Sequence, residues 1–340
     1  MLVKMEILII KTSSLGDIIQ SFPVLALLKQ TYPHSQIDWV VEKSFCELLE
    51  AHPDIRQAIP VEARKWKKNL FAYRSGVQAA VKNDYDVSID LQGNIKSGLI
   101  AKFISAKQKV GTSFSSAPEW PNGFFLTHRY PLDKKKAISL QYLSLVQNHF
   151  ALQQAPIPKQ LFLTITPEEE AWIDEQTAPP VRYMVCPGSQ WENKKLFLPT
   201  WIELLKEFAH KKNPHYYFVW GNEKEEQEAR ALHAQFPEMS TLLPHLSLPL
   251  WQRLMAKMDG IFSVDSSALH LAATTGVPTY SFFGPSSAAV YKPAGAHHHA
   301  LQGPCPYGKT FTKRCPALRT CKTGACIKGL SSKTLEEIIR

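Results

Sequence analysis

Four short polar turns carry most of the side chains that could do chemistry. The first, Thr12-Ser13-Ser14-Leu15-Gly16-Asp17, follows the apolar run 7–10 and precedes an amphipathic segment. Strand, turn, helix is where α/β proteins bind nucleotides. A dinucleotide site would need G-x-G-x-x-G, whereas this turn has one glycine and a carboxylate. Near a helix N-terminus the Asp17 carboxylate stays ionised, so it can accept a proton but not donate one. Read alone it is a helix cap; across from a bound nucleotide diphosphate it suits a general base for an attacking hydroxyl.

The other three turns fall in the second half. "SVDSSALHLAATTGVP", residues 263–278, ends a strand at Val264 and opens a helix near Ser266. Free N–H groups and the positive dipole end favour an anion there, and Asp265, Ser266 and Ser267 add side-chain donors and acceptors. His270 returns to the face of Ser266 one turn on. A capped helix with a core-facing histidine is the competing reading. In "CPGSQWENKK", residues 186–195, Gly188 admits close backbone approach, Ser189 can bond a phosphate oxygen, and a lysine at 194 or 195 offers a point charge. The G-x-x-x-x-G-K-[ST] spacing of a P-loop is absent, and a surface loop with incidental lysines is the alternative. In "VWGNEKEEQEA", Gly221 closes a strand and Glu225 sits in the first helical turn. There it could hold a ribose through two hydroxyls, or simply complement the helix dipole. Turns that follow successive strands of one half gather on one sheet edge, which makes this half a nucleotide-diphosphate site.

The elements that must position these turns alternate along the chain. Strand patterns at 6–11, 37–41, 87–91 and 109–112 are interleaved with helical patterns at 18–30, 69–82, 94–105 and 136–150. The second half repeats the scheme: strands in "RYMVCPGS", "HYYFVWG", "GIFSV" and "PTYSFFG", helices at 199–211, 223–235, 248–258 and 266–275. Such alternation implies parallel sheets wrapped by helices. Between the halves, "ALQQAPIPKQLFLTITPEEE" carries prolines at 156, 158 and 167 and reads as a linker. The expected organisation is a Rossmann-like domain over 1–155, a linker over 156–170, a second Rossmann-like domain over 171–330 and a closing helix over 331–340. A chain of 340 residues suits two such domains.

Composition narrows the class. Hydrophobic content of 44% with 20% charged residues is that of an ordinary globular protein. The N-terminal apolar run is too short for a signal peptide, and no stretch reaches the roughly 18 apolar residues of a spanning helix. A cytoplasmic protein, at most peripheral on the inner face of the cytoplasmic membrane, is expected. The +9 net charge favours anionic partners such as phosphorylated sugars, acidic lipid or nucleic acid. Basic clusters stand at 64–68 and 134–136. Asp84-Tyr85-Asp86, which precedes a strand, reads as a connector and not as a metal-binding Asp-x-Asp. Cys46 and Cys186 look like buried small hydrophobes.

Together, "ILIIKTSSLGDIIQSFP", "DLQGNIKSG", "CPGSQWENKK" and "VDSSALHLAATTGVPTYSFFGP" resemble the ADP-heptose:lipopolysaccharide heptosyltransferases, glycosyltransferase family 9, from about residue 6 to the C-terminus. "WVVE" and "IPVEARKWKKNLF" lean towards heptosyltransferase I, and "GSQWENKK" towards II. The resemblance implies an α/β GT-B fold, two Rossmann-like domains facing each other across a cleft. It implies inverting transfer of L-glycero-D-manno-heptose from ADP-heptose to the Kdo or heptose of the lipopolysaccharide inner core on lipid A. Asp17 matches the family's base. Ser189 and Lys194 match its phosphate loop, Glu225 its ribose or adenine contact, and Asp265, Ser266, Ser267 and His270 its diphosphate site. Ser14, Gly16, Arg64, Lys67, Gln92 and Lys96 fall in segments that would face the acceptor. The family's Lys-x-Trp-Pro is here Lys194-Lys-Leu-Phe-Leu-Pro, which leaves Lys194 and Lys195 both open, and Ser267 stands where glycine is common. No metal is required for catalysis in such a family.

The last feature is a cysteine cluster, Cys305, Cys315, Cys321 and Cys326, with looser spacing than a zinc ribbon. It could hold a structural metal, form disulfides or stay reduced. Some relatives in the resembled family carry cysteine-rich C-terminal segments, and in protein-glycosylating members these can bind iron. His297 to His299 could join such a site. Two alternatives to the lipopolysaccharide enzyme stand beside it: a protein heptosyltransferase or other GT-B nucleotide-sugar enzyme, and a non-catalytic basic binding protein. No nucleic-acid-binding module is recognisable.

Overall fold

The computed structural model describes residues 4–62, 69–153 and 160–336. The chain divides into two units, Met1–Lys159 and Gln160–Arg340.

Unit 1 is one six-stranded sheet: β1 (Glu6–Ile10), β2 (Gln36–Glu42), β3 (Gln57–Val61), β4 (Tyr85–Asp90), β5 (Ala106–Thr112) and β6 (His128–Tyr130), in the order β3-β2-β1-β4-β5-β6. Every neighbouring pair is parallel. Ile7, Leu8, Ile9 and Ile10 are all fully buried, because crossover helices cover both faces of a parallel sheet. Leu8, Ile10, Val40, Tyr73, Val77 and Ile100 form a core on one of those faces.

Unit 2 repeats the plan with β7 (Arg182–Cys186), β8 (His215–Phe218), β9 (Ser240–Leu242), β10 (Gly260–Val264), β11 (Thr279–Phe283) and β12 (His298–Gln302), ordered β12-β11-β10-β7-β8-β9. Again all pairs are parallel. Its core is aromatic: Trp201, Phe208, Tyr216, Phe218, Phe262 and Phe282, with edge-to-face pairs such as Trp201–Phe282 at 5.5 Å.

Three elements depart from expectation. The single helix expected over 18–30 is two, Leu15–Ile19 and Phe22–Thr31. Pro23 cannot donate within a helix interior, so it takes a first-turn position of the second helix. The Pro-rich linker is shorter than expected, because Pro167 opens the helix Pro167–Gln176. Thr166 and Glu169 cap that helix reciprocally, Glu169 N–H to Thr166 Oγ1 at 3.2 Å and Thr166 N–H to Glu169 Oε2 at 2.9 Å. Residues 160–166 are tied to unit 2 as well. Gln252 Nε2 donates to Leu161 O at 2.5 Å, and its Oε1 accepts from Leu163 N–H at 3.3 Å. Within the closing segment the helix runs Ser332–Glu336. Asp84-Tyr85-Asp86 is not wholly a connector, since Tyr85 and Asp86 already belong to β4.

Candidate active site

In unit 1 the turn after β1 is held from outside. Gln92 Oε1 accepts from Thr12 N–H and Ser13 N–H, both at 3.1 Å. Gln92 is fixed in turn by buried Asp90, whose Oδ1 accepts from Gln92 N–H at 2.8 Å and Gly93 N–H at 3.0 Å. Asp90 Oδ2 takes Ser97 Oγ–H at 2.7 Å and Asn122 Nδ2–H at 2.6 Å. Burial outweighs these four donors and leaves the Asp90 carboxyl above its ordinary pKa. The Ser13–Ser14 peptide is cis. From this turn Ser14 donates to Asp17 Oδ2 through its Oγ at 2.7 Å and its N–H at 3.4 Å. Asp17, half-buried, is thus oriented at the head of helix Leu15–Ile19, whose Gly16 carbonyl accepts from Gln20.

Lys11 is the residue that sequence reasoning missed here. It directly follows β1 and is almost wholly buried, with Nζ 5.1 Å from the centre of the Tyr142 ring. Burial works against its charge, but Tyr142, then Asp17 and Asp90, raise its pKa above that of a free lysine. Its ammonium lies in the field of the Asp17 carboxylate. Lys96 is half-buried, its carbonyl accepting from Tyr73 Oη at 2.8 Å. Arg64 and Lys67 lie outside the described residues.

Replacing Gln92 by leucine strips two turn N–H groups of their acceptor, at about 1–3 kcal/mol for each that stays buried. The denaturation midpoint should fall measurably, while Gln92→Glu, which keeps an acceptor oxygen, should restore most of the loss.

In unit 2 the turns after β7, β8 and β10 meet on one sheet edge, as adjacent strands require. Lys194 Nζ bonds Asp265 Oδ2 at 2.5 Å, with side-chain exposures of 12% and 6%. Burial raises the Asp265 carboxyl, but Lys194 and then His270 outweigh it and hold the group below its ordinary value. His270 is buried on helix Ser267–Ala273. Just ahead of that helix, Ser266 Oγ is enclosed with no hydrogen-bond partner among the described residues. Ser267 is half-buried beside it and Ser189 buried. Lys195 turns away from Asp265 to Glu228 at 3.0 Å and Glu192 at 3.1 Å. Glu225 Oε2 accepts from Gly221 N–H at 2.9 Å. A Cβ on Gly188 would lie 2.5 Å from the Glu225 carboxyl carbon, so any larger residue there would displace the end of the Glu225 side chain.

Cys305, Cys315, Cys321 and Cys326 are partly buried free thiols, and Cys46 and Cys186 are buried ones as expected. Burial, then the three neighbouring cysteines, push the Cys326 thiol up to about 11. His297 to His299 belong elsewhere. His298 is buried on β12 against Thr279 Oγ1 at 2.9 Å, and His299 stacks on Tyr280.

These features can be set against known proteins. The profile of glycosyltransferase family 9 (heptosyltransferase) matches residues 74–320. The chain belongs to that family. It is 30% identical to lipopolysaccharide heptosyltransferase 1 of Pseudomonas aeruginosa over 319 residues, which covers 92% of this chain and 87% of that protein. It is 27% identical to lipopolysaccharide heptosyltransferase 1 of Escherichia coli K12, over 88% of this chain and 94% of that one. The solved E. coli heptosyltransferase WaaC with ADP superposes at a TM-score of 0.77, with 23% identity over 98% of this chain and 99% of the other. The resemblance read from the turns is borne out, and the family 9 glycosyltransferase has the GT-B architecture of two doubly wound α/β units. Among the described residues no helix is long and apolar enough to cross a membrane.

Proposed function

We propose that this enzyme transfers L-glycero-D-manno-heptose from ADP-heptose to a Kdo or heptose hydroxyl of the lipopolysaccharide inner core, with inversion at the anomeric carbon. The observation that carries the reading is Asp17, a carboxylate oriented by Ser14 and backed by the Lys11 ammonium. Asp17 takes the proton from the acceptor hydroxyl as that oxygen attacks C1 of the heptose. The C1–O bond to the diphosphate breaks, and ADP leaves with the electron pair. Charge on the departing diphosphate is met by Lys194 and by the hydroxyls of Ser189, Ser266 and Ser267. Well-placed donors of this kind contribute on the order of 3 kcal/mol each. Catalysis needs no metal in this reading.

Glu225 supports the donor half as the acceptor for ribose hydroxyls, and Gly188 tests it. Gly188→Ala pushes the Glu225 carboxylate off Gly221. The loss of about 1 kcal/mol of hydrogen bonding should raise the donor KM about fivefold, with the thermal midpoint nearly unchanged. Equal KM values would remove Glu225 from the donor site.

A lipid-linked acceptor calls for peripheral membrane contact. Exposed Trp120 and Phe124, packed edge to face at 5.7 Å, and exposed Lys134 to Lys136 provide apolar and cationic surface for it. The deciding assay incubates the purified chain with a panel of nucleotide sugars and Kdo-lipid A. Release of ADP from ADP-heptose, dependent on the acceptor, is expected. Release of another nucleotide, or none, would overturn the assignment.

A further inference from the structure

The positive charge of this chain is unevenly placed. Of its 39 basic and 30 acidic residues, eight basic and no acidic ones lie between 266 and 335, so that stretch carries nearly all of the net charge of +9. Six of the eight, Lys309, Lys313, Arg314, Arg319, Lys322 and Lys328, fall within 309–328. The segment is mostly irregular, yet it is pinned to unit 2. Cys315 N–H donates to Pro285 O at 2.7 Å, Ser287 N–H to Lys313 O at 2.8 Å, and Asn193 Nδ2 to Leu318 O at 2.6 Å. Its cations therefore stand on a held surface.

Elsewhere in unit 2, surface cations have carboxylate partners. Lys224 meets Glu192 at 2.8 Å, Arg230 meets Glu226 at 2.5 Å, and Lys257 meets Asp174 at 3.0 Å. Lys309, Arg314, Arg319 and Lys322 are exposed, and their segment offers them no carboxylate. Cations left unneutralised so close together raise a local positive potential that draws an anionic partner.

Apolar surface lies among them. A cavity of about 310 Å³ is walled by Tyr307, Phe311, Ala317 and Ala325 together with Lys309 and Lys322. Tyr307 is 58% exposed, and its Oη donates to Thr323 Oγ1 at 3.2 Å. The four cysteines of the segment also line this cavity. As placed, no group of three or more His, Cys, Asp or Glu among the described residues could hold a metal ion, so these thiols count as apolar wall.

We propose that residues 305–328 form a docking surface for an anionic lipid bilayer. Lys309, Arg314, Arg319 and Lys322 meet the headgroup phosphates, and Tyr307 enters the interfacial layer, which suits an apolar ring with a polar tip. Charge alone would suit a nucleic acid equally well. An apolar cavity walled partly by two lysines fits a partner whose phosphates cover hydrocarbon, and a bilayer is such a partner. The choice of a bilayer deepens the reading of a lipid-linked acceptor given above; the positive surface does not rest on that reading.

The test floats the untagged full chain with vesicles of about one part phosphatidylglycerol to three of phosphatidylcholine. Binding is expected at about 0.1 M salt, where charges are screened over about 10 Å, and release at about 1 M, where that distance is about 3 Å. Vesicles of phosphatidylcholine alone should bind much less. Each cation near such a surface is worth about fivefold in affinity, so Lys309→Gln with Lys322→Gln should bind about 25-fold more weakly. Lys43→Gln with Lys206→Gln removes the same charge from exposed positions elsewhere and should bind as the wild type does. Equal loss in both pairs reduces the effect to net charge and overturns the surface. So does equal binding to neutral vesicles, or tighter binding to an RNA oligomer than to anionic vesicles at the same salt. If the glutamine variants do not fold, amine-reactive labelling of the wild type read by mass spectrometry decides in their place: anionic vesicles should protect Lys309 and Lys322, and unprotected lysines overturn the surface. A chain that floats with anionic vesicles but releases no ADP refutes the transferase reading and leaves the surface. One that releases ADP with a soluble, deacylated acceptor yet ignores vesicles loses the surface and keeps the transferase.

Discussion

Asp17→Asn is expected to lower kcat by about 10²–10⁴ while the donor KM stays close to that of the wild type. Asparagine keeps one oxygen to accept from Ser14, whose Oγ stands 2.7 Å from the carboxylate, so the turn should keep its shape. What disappears is the ability to take a proton from the acceptor as its oxygen attacks. The loss should therefore appear in kcat and in kcat/KM for the acceptor alike. Single-turnover kinetics with ADP-heptose and the lipid acceptor separate this from slow product release. Full turnover in Asp17→Asn would end the case for a base at this position, and a large rise in donor KM would move Asp17 to a binding role.

The second large effect is expected at the buried pair of Lys194 and Asp265. Lys194→Met leaves a carboxylate with 6% side-chain exposure without its nearest cation. Removing one partner of such a pair typically costs about 3–5 kcal/mol. Lys194→Met combined with Asp265→Leu should be less destabilised than the single change, because no lone charge remains buried. Both variants should lose turnover, since the diphosphate would have lost its cation. Acid provides a check on sign. Asp265 sits below its ordinary value of 3.8 when folded, so its contribution to stability is present above that value and is lost as pH falls through the lowered one. Urea midpoints between pH 3 and 6 should therefore fall less steeply at the acid end for Asp265→Asn than for the wild type. Parallel curves would show that the ion pair contributes nothing net.

Much of this was legible in the residues, and what was not has a common physical origin. The eight strands expected from apolar runs are the inner ones, which are covered on both faces and paired on both sides. The four unexpected strands, β3, β6, β9 and β12, are the two edges of each sheet. An edge strand pairs on one side only and needs no continuous apolar run, so QAIPV, HRY, STL and HHALQ give little signal. The three donor turns were legible because strand adjacency forces them together. Lys11 was not, because a lysine closing an apolar strand looks like its solvated end; only the fold puts Tyr142, Asp17 and Asp90 around it. Gly188 was read as room for a ligand's backbone approach, whereas the structure shows that it also admits Glu225. Choosing between Lys194 and Lys195 needed the positions of Asp265 and Glu228, which adjacent lysines cannot reveal.

All ten neighbouring strand pairs being parallel has a consequence for how the chain assembles. No pair can zip from a hairpin. The central partnership of the first sheet sets Ile7 beside Val87, so a long crossover must close before β1 has both neighbours. High contact order of this kind makes for slow refolding from denaturant. During synthesis, however, the first 159 residues can complete their own sheet before the second has emerged from the ribosome, which keeps two sets of similar apolar strands from pairing with each other.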